Sequence, residues 1–237
     1  MSVSICVPVY NDWENASLII ENFVSCKYKK TSLMVIDNGS YKSNESVIDR
    51  ISQLDNVSIT RVNTNLGLGG AIQEASKTCK SDWFVWMPGN MKVLPSEMMD
   101  FLAIVSSSHS ETFIKAQRIN RPLIDRLKTM LASVVQTIVA GTPLFDTGGT
   151  PSAIHRTGTL WDYIARAPKD YMFDSYMLFA AKRLQIKVER PQVPYHQRLI
   201  GSSHWQSGFA AEVSLMKSLV YSIIQWRLEG LRKGQGK

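Results

Sequence analysis

The sequence predicts an α/β fold in which a mostly parallel central sheet is flanked by helices. Three observations predict it. In the first 87 residues, four short runs rich in β-branched and aromatic side chains alternate with segments of helical periodicity. The second of these runs stops abruptly at the turn-rich string DNGSYKSN, as a strand feeding a loop should. The composition is that of a folded domain, with 44% hydrophobic and 20% charged residues in 237.

Taken in order, SVSICVPV reads as a buried strand ending at Pro8, and Leu18, Ile19, Ile20, Phe23 and Val24 mark a helix face. SLMVI at 32–36 is the second strand, 45–54 a helix, and VSITRV at 57–62 the third strand. NLGLGGA opens a helix over about 68–79, and DWFVWM at 82–87 is the fourth strand. Strands alternating with helices at this spacing imply βαβ units. Right-handed crossovers then gather the loops at the strands' carboxyl ends. Farther on, TFIKAQ at 112–117 reads as a strand and 123–141 as a long apolar segment. DTGGTP at 146–151 is a loop, 158–167 and 171–185 are helical, and IKVERPQVPY is extended. Apolar residues at helical spacing return over about 208–229, followed by a basic tail. The simplest division is one domain over 1–207 with a carboxyl-terminal amphipathic helix and tail over 208–237.

The formal charge of +7 favours an anionic partner. The basic residues are dispersed and no aromatic-rich nucleic-acid motif accompanies them, so no nucleic-acid partner is expected. Cys6, Cys26 and Cys79 form no CxxC and no His/Cys cluster, which argues against zinc or a disulfide framework and fits a reducing cytoplasmic compartment. The amino terminus does not read as a signal peptide, and no run of 18 apolar residues marks a membrane span.

Four strings stand at strand ends or helix starts: VPVYND, VIDNGS, NLGLGGA and DWFVWMPGN. Their order resembles the family-2 glycosyltransferases of the GT-A (nucleotide-diphospho-sugar transferase) fold, with their VPxYN, VDDGS, NxGxxxA and DxD pattern. QRINR at 117–121, DTGGTPSAIHR at 146–156 and VPYHQRLIGSSHW at 193–205 resemble the dolichol-phosphate mannosyltransferase-like subgroup, whose late RxxGxSxW string is matched by Arg198, Gly201, Ser203 and Trp205. The resemblance implies an inverting transferase that moves a sugar from a nucleotide sugar to a polyprenyl phosphate. It also implies a peripheral position on the cytoplasmic face of a membrane, and assembly into a homo-oligomer stays open.

The resemblance distributes roles along the chain. Pro8, Val9, Tyr10 and Asn11 would wall the nucleotide pocket, and Asp37 would bind the base. An Asp before Asn38-Gly39 is also a natural turn former. Gly67 and Gly69 stand where free helix-start amides favour an anion, or where close helix packing needs no side chain. Arg118, Arg121 and Arg198 are candidates for holding phosphate, because guanidiniums stabilise a departing diphosphate without proton transfer. His155, Arg156, Ser203 and Trp205 would lie on the acceptor side. Asp174 stands where many relatives carry a general base, which a hydroxyl acceptor needs and a phosphate oxyanion does not.

The largest departure from the family pattern is Pro88-Gly89-Asn90, which removes both aspartates of the DxD. Hard divalent cations prefer charged oxygen ligands. Three readings stay open: Mg²⁺ or Mn²⁺ held weakly through Asn90, a basic group such as Lys92 in place of the ion, or lost catalysis. A transferase using a glycan hydroxyl, with Asp174 as base, and a non-catalytic nucleotide-sugar-binding subunit are the alternatives. The segment 129–145 and the last helix are the stretches that would touch a membrane.

Overall fold

A computed structural model describes residues 1–25, 30–42, 44–90, 92–196 and 209–233. Its centre is a seven-stranded sheet in the order β3-β2-β1-β4-β7-β5-β8. The strands are β1 (Val3–Val9), β2 (Thr31–Asn38), β3 (Val57–Val62), β4 (Trp83–Trp86), β5 (Thr112–Lys115), β7 (Ser152–His155) and β8 (Lys187–Glu189). β1, β2, β3 and β4 are mutually parallel, and β7 runs antiparallel to both neighbours. A separate parallel pair joins β6 (Gln117–Ile119) to β9 (Gln192–Pro194).

The alternation of side chains along β1 explains the two-layered core. Val3, Ile5, Val7 and Val9 point to one face, against α1 (Trp13–Ser25) and α4 (Pro95–Ser107). Cys6 points to the other face with Met34 and Ile36, against α3 (Gly67–Thr78) and α6 (Phe173–Arg183). A helix α2 (Glu45–Ser52) links β2 to β3, and the segment Thr159–Arg166 is a 3-10 helix. α7 (Phe209–Lys233) sends Leu219 and Ile223 into the second core, and its Trp226 meets the rings of Tyr176 and Phe179.

Two elements escape the sequence reading. α4 buries Met98, Phe101, Leu102 and Val105 at helical spacing, within a stretch where the eye is drawn to the unusual Pro-Gly-Asn. β7 has only four residues, too few to display a period. The apolar segment becomes α5 (Leu123–Ala140), in which Ser133 and Gln136 are buried with Ala140. No helix among the described residues is long and apolar enough to cross a membrane.

Candidate active site

Because β1, β2 and β4 are parallel and β7 is antiparallel to them, their functional loops meet at one edge: the carboxyl ends of the first three and the amino end of β7. A cleft of about 350 Å³ opens there. Pro8 at the end of β1, Trp86 to Pro88 and Asn90 after β4, and Leu68 and Ile72 on α3 form one wall. Arg118, Gly148, Thr150, Asp174, Tyr171, Tyr195 and Leu215 complete it.

The floor is an ion pair that sequence reasoning missed. Lys115, on β5, is completely buried, and its Nζ donates to Asp174 Oδ1 at 2.8 Å, Gly149 O at 2.8 Å and Ser152 Oγ at 3.3 Å. Asp174 Oδ1 also accepts from Trp86 Nε1 at 3.1 Å. Burial pushes the Lys115 ammonium below its ordinary range, and the Asp174 carboxylate works against that shift. All of these contacts to Asp174 fall on Oδ1. The signal was in the sequence: a lysine inside the otherwise apolar run TFIKA, a residue type that is fully buried only when paired.

Beside the floor stands a second pair. Arg118 donates its backbone N–H to Asp146 Oδ2 at 2.9 Å and its Nε to Oδ1 at 2.9 Å, with Nη2 on the same Oδ1. Burial works against both charges, yet the mutual attraction wins. Asp146 lies below the usual carboxylate range and Arg118 above its own ordinary value. The guanidinium of Arg118 and the Nζ of Lys92 each lie 5.3 Å from the centre of the Tyr195 ring. The ring, buried enough that its hydroxyl is pushed up, thus carries two cations, of which Arg118 lines the cleft with it. Thr150 Oγ1 is buried there with no hydrogen-bond partner among the described residues, which leaves a polar atom for a ligand to satisfy.

The remaining sequence candidates fall into place unevenly. Pro8 and Asn90 line the cleft, whereas Val9 is buried in the core facing α1. Asn11 adopts φ +53° and accepts from the backbone N–H groups of Tyr41 and Lys42, tying the loop after β1 to that after β2. Tyr10 meets Tyr41 edge to face at that junction. Asp37 is fully buried: its Oδ1 accepts from Ser40 N–H at 3.1 Å and its Oδ2 lies 3.0 Å from Arg61 Nε. That is the turn-forming geometry, and Asp37 does not line the cleft. Arg121 donates to Thr129 Oγ1 and stays outside the cleft.

Gly67 and Gly69 serve packing. The Gly69 and Gly70 amides donate to Asp170 O and Lys169 O, so the helix start is already satisfied by backbone carbonyls. A Cβ on Gly69 would stand 2.1 Å from Pro168 O, and one on Gly67 2.4 Å from Lys169 O. His155 and Arg156 lie at the opposite end of the sheet, because β7 runs antiparallel: His155 pairs with Trp83 at the start of β4, and Arg156 N–H donates to Asp82 O. Their expected acceptor-side position is therefore corrected by strand direction. Arg198, Gly201, Ser203 and Trp205 lie outside the described residues.

The described residues do not by themselves make a site for a divalent cation. Among the described residues no group of three or more His, Cys, Asp or Glu side chains could hold one. The two carboxylates by the cleft, Asp146 and Asp174, are taken by Arg118 and Lys115. Asn90 Oδ1 faces the Lys92 N–H at 3.4 Å. A neutral amide alone is a poor ligand for a hard cation.

Comparison with known proteins agrees with this geometry. Residues 4–88, spanning β1 to β4 and ending at Pro88, match the family described as glycosyl transferase family 2. Among solved structures, glucosyl-3-phosphoglycerate synthase from Mycobacterium tuberculosis in complex with phosphoglyceric acid superposes with a TM-score of 0.70 at 13% identity, over 95% of this chain and 79% of that one. The same enzyme in complex with Mn²⁺, UDP and glucosyl-3-phosphoglycerate gives 0.69 at 14% identity with the same coverage. A mycobacterial protein gives 0.66 at 15%, over 92% of this chain and 72% of that one. At such identities the likeness is one of fold. No curated protein matches the chain in sequence. The fold expectation is thus met.

Proposed function

We propose that this protein is a glycosyltransferase that takes a nucleotide-sugar donor into the cleft at the carboxyl edge of β1 and β4 and transfers the sugar to a phosphate-bearing acceptor. One observation carries the reading. The cleft combines the family's nucleotide-side wall, Pro8 and the turn after β4, with cations on Tyr195 where the family pattern has metal-binding aspartates. Lys92 and Arg118 supply positive charge toward a departing diphosphate, and fixed charges aimed at developing charge are an efficient source of rate. No metal is needed in this scheme.

The phosphate acceptor is favoured by the cations at the cleft, Arg118 and Lys92, and not by loss of a base, since Lys115 and Trp86 hold only the Oδ1 of Asp174. A phosphate oxyanion attacks without a base. Two sources share that chemistry: a lipid phosphate, as the subgroup resemblance implies, and a small phosphorylated acid such as the phosphoglyceric acid bound by the structural neighbour.

The test is release of nucleoside diphosphate from UDP- and GDP-sugars in EDTA, with phosphoglycerate or with polyprenyl phosphate in detergent. Acceptor-dependent release with either one supports the reading and names the source. Release that occurs only with an unphosphorylated glycan would overturn it.

A further inference from the structure

A second cavity, of about 250 Å³, adjoins the loop after α5. Asp146 lines it, whereas Gly148 and Thr150 of the same loop line the cleft. Its apolar wall is Leu178 on α6, Val188 on β8, and Pro143 and Phe145 on the loop. Two cations stand over that wall. Lys182 lies one helical turn beyond Leu178 and so over the same spot. Arg190 follows Val188 by two residues and reaches the same side as the chain leaves β8.

Neither cation has a counterion among the described residues. The ion pairs nearby are closed, Asp146 with Arg118 and Asp174 with Lys115. Glu189 is turned to Lys187 and Ser108. Arg190 directs its Nη groups to backbone carbonyls, Phe145 O at 2.7 Å, Asp146 O at 3.3 Å and Ala116 O at 3.4 Å. Its Nε is buried with no hydrogen-bond partner among the described residues. Burial lowers the Arg190 pKa, with Asp146 opposing the shift and Arg118 adding to it. A charge withdrawn from water is ordinarily paired. Here the protein supplies carbonyl dipoles and no anion.

We infer that this cavity binds a small organic anion, its charged head between Lys182 and Arg190 and its apolar body against Leu178, Val188, Pro143 and Phe145. An apolar cavity of ~150 Å³ accepts benzene, so the space suits a phenyl-sized body that carries a head group. Carboxylate and phosphate share the chemistry this site reads, a compact negative charge facing a guanidinium.

Isothermal titration of the full chain with phenyl phosphate and with phenylacetate tests this. At least one is expected to bind with a dissociation constant below about 1 mM, as a well-seated ligand of about ten heavy atoms should. The tighter of the two names the head group. Inorganic phosphate, which lacks the apolar body, is expected to bind about tenfold or more weakly. Lys182→Glu changes a half-buried helix position, keeps native circular dichroism, and is expected to weaken binding by about tenfold or more. Arg190→Gln is expected to weaken it as much. No binding of either organic anion at about 10 mM would overturn the inference. So would inorganic phosphate that binds as tightly, or binding that Lys182→Glu leaves unchanged, which would put the anion in the donor cleft. The titration uses no donor, so its result stands or falls apart from the proposed reaction.

Discussion

Replacing Lys115 by methionine keeps the volume and removes the charge beneath the cleft. Asp174, 3% exposed, would then keep Trp86 Nε1 at 3.1 Å and a long contact to Ser152 Oγ, with no cation. Removing one partner of a buried ion pair costs about 3–5 kcal/mol, because the other charge stays buried and uncompensated. For a chain of this size that lowers Tm by about 6–20 °C. The double variant Lys115→Met/Asp174→Asn removes both charges. The amide can still accept from Trp86, and Gly149 O loses its donor, for a net cost of about 1–2 kcal/mol. Urea unfolding of wild type, Lys115→Met, Asp174→Asn and the double variant, followed by tryptophan fluorescence, yields the coupling directly. Activity completes the test. The double variant is expected to stay within about tenfold of wild type, whereas loss of a general base costs about 10²–10⁴-fold. A Lys115→Met protein as stable as wild type, or a folded double variant without activity, would refute the reasoning.

Arg118→Lys keeps the charge but cannot reproduce the two-pronged hold on Asp146, so donor affinity measured by calorimetry should fall by about tenfold or more. Asp146 is held below the usual carboxylate range, so its contribution is present above an unfolded pKa of about 3.9 and lost as pH falls through its lower folded value. Acid unfolding of wild type should therefore be steeper below about pH 4 than that of Asp146→Asn, which starts less stable. Gly69→Ala sets a Cβ against Pro168 O and should lower the urea midpoint by an amount worth about 1–3 kcal/mol; an unchanged midpoint would contradict the packing assignment.

The parallel half of the fold was legible because its strands are long enough to show a period and each is followed by a turn string. VSITRV is β3 residue for residue, and the helix over 68–79 became Gly67–Thr78. The second half was less so. β7, with four residues, has no period, and its antiparallel direction is a tertiary fact that moved His155 and Arg156 to the far edge. In the cleft, Pro8, Asn90, Arg118 and Asp174 could be nominated from motifs. Lys115, Asp146 and Tyr195 could not be grouped, because only β5, β6 and the chain after β9 bring them together. Gly69 and Asp37 mark the opposite limit. Their types fit both a ligand and a packing role, and only the close approach of Pro168 O and the Arg61 pairing decide.

The central claim is that cations on Tyr195 take the part of a metal in binding the donor diphosphate. Isothermal titration of a panel of UDP- and GDP-sugars in EDTA, repeated with Mn²⁺, tests it most directly. The account predicts that one nucleotide class binds in EDTA with an affinity that Mn²⁺ changes by less than about threefold, under 1 kcal/mol. Binding that appears only when Mn²⁺ is added, or no binding by any donor, would contradict it.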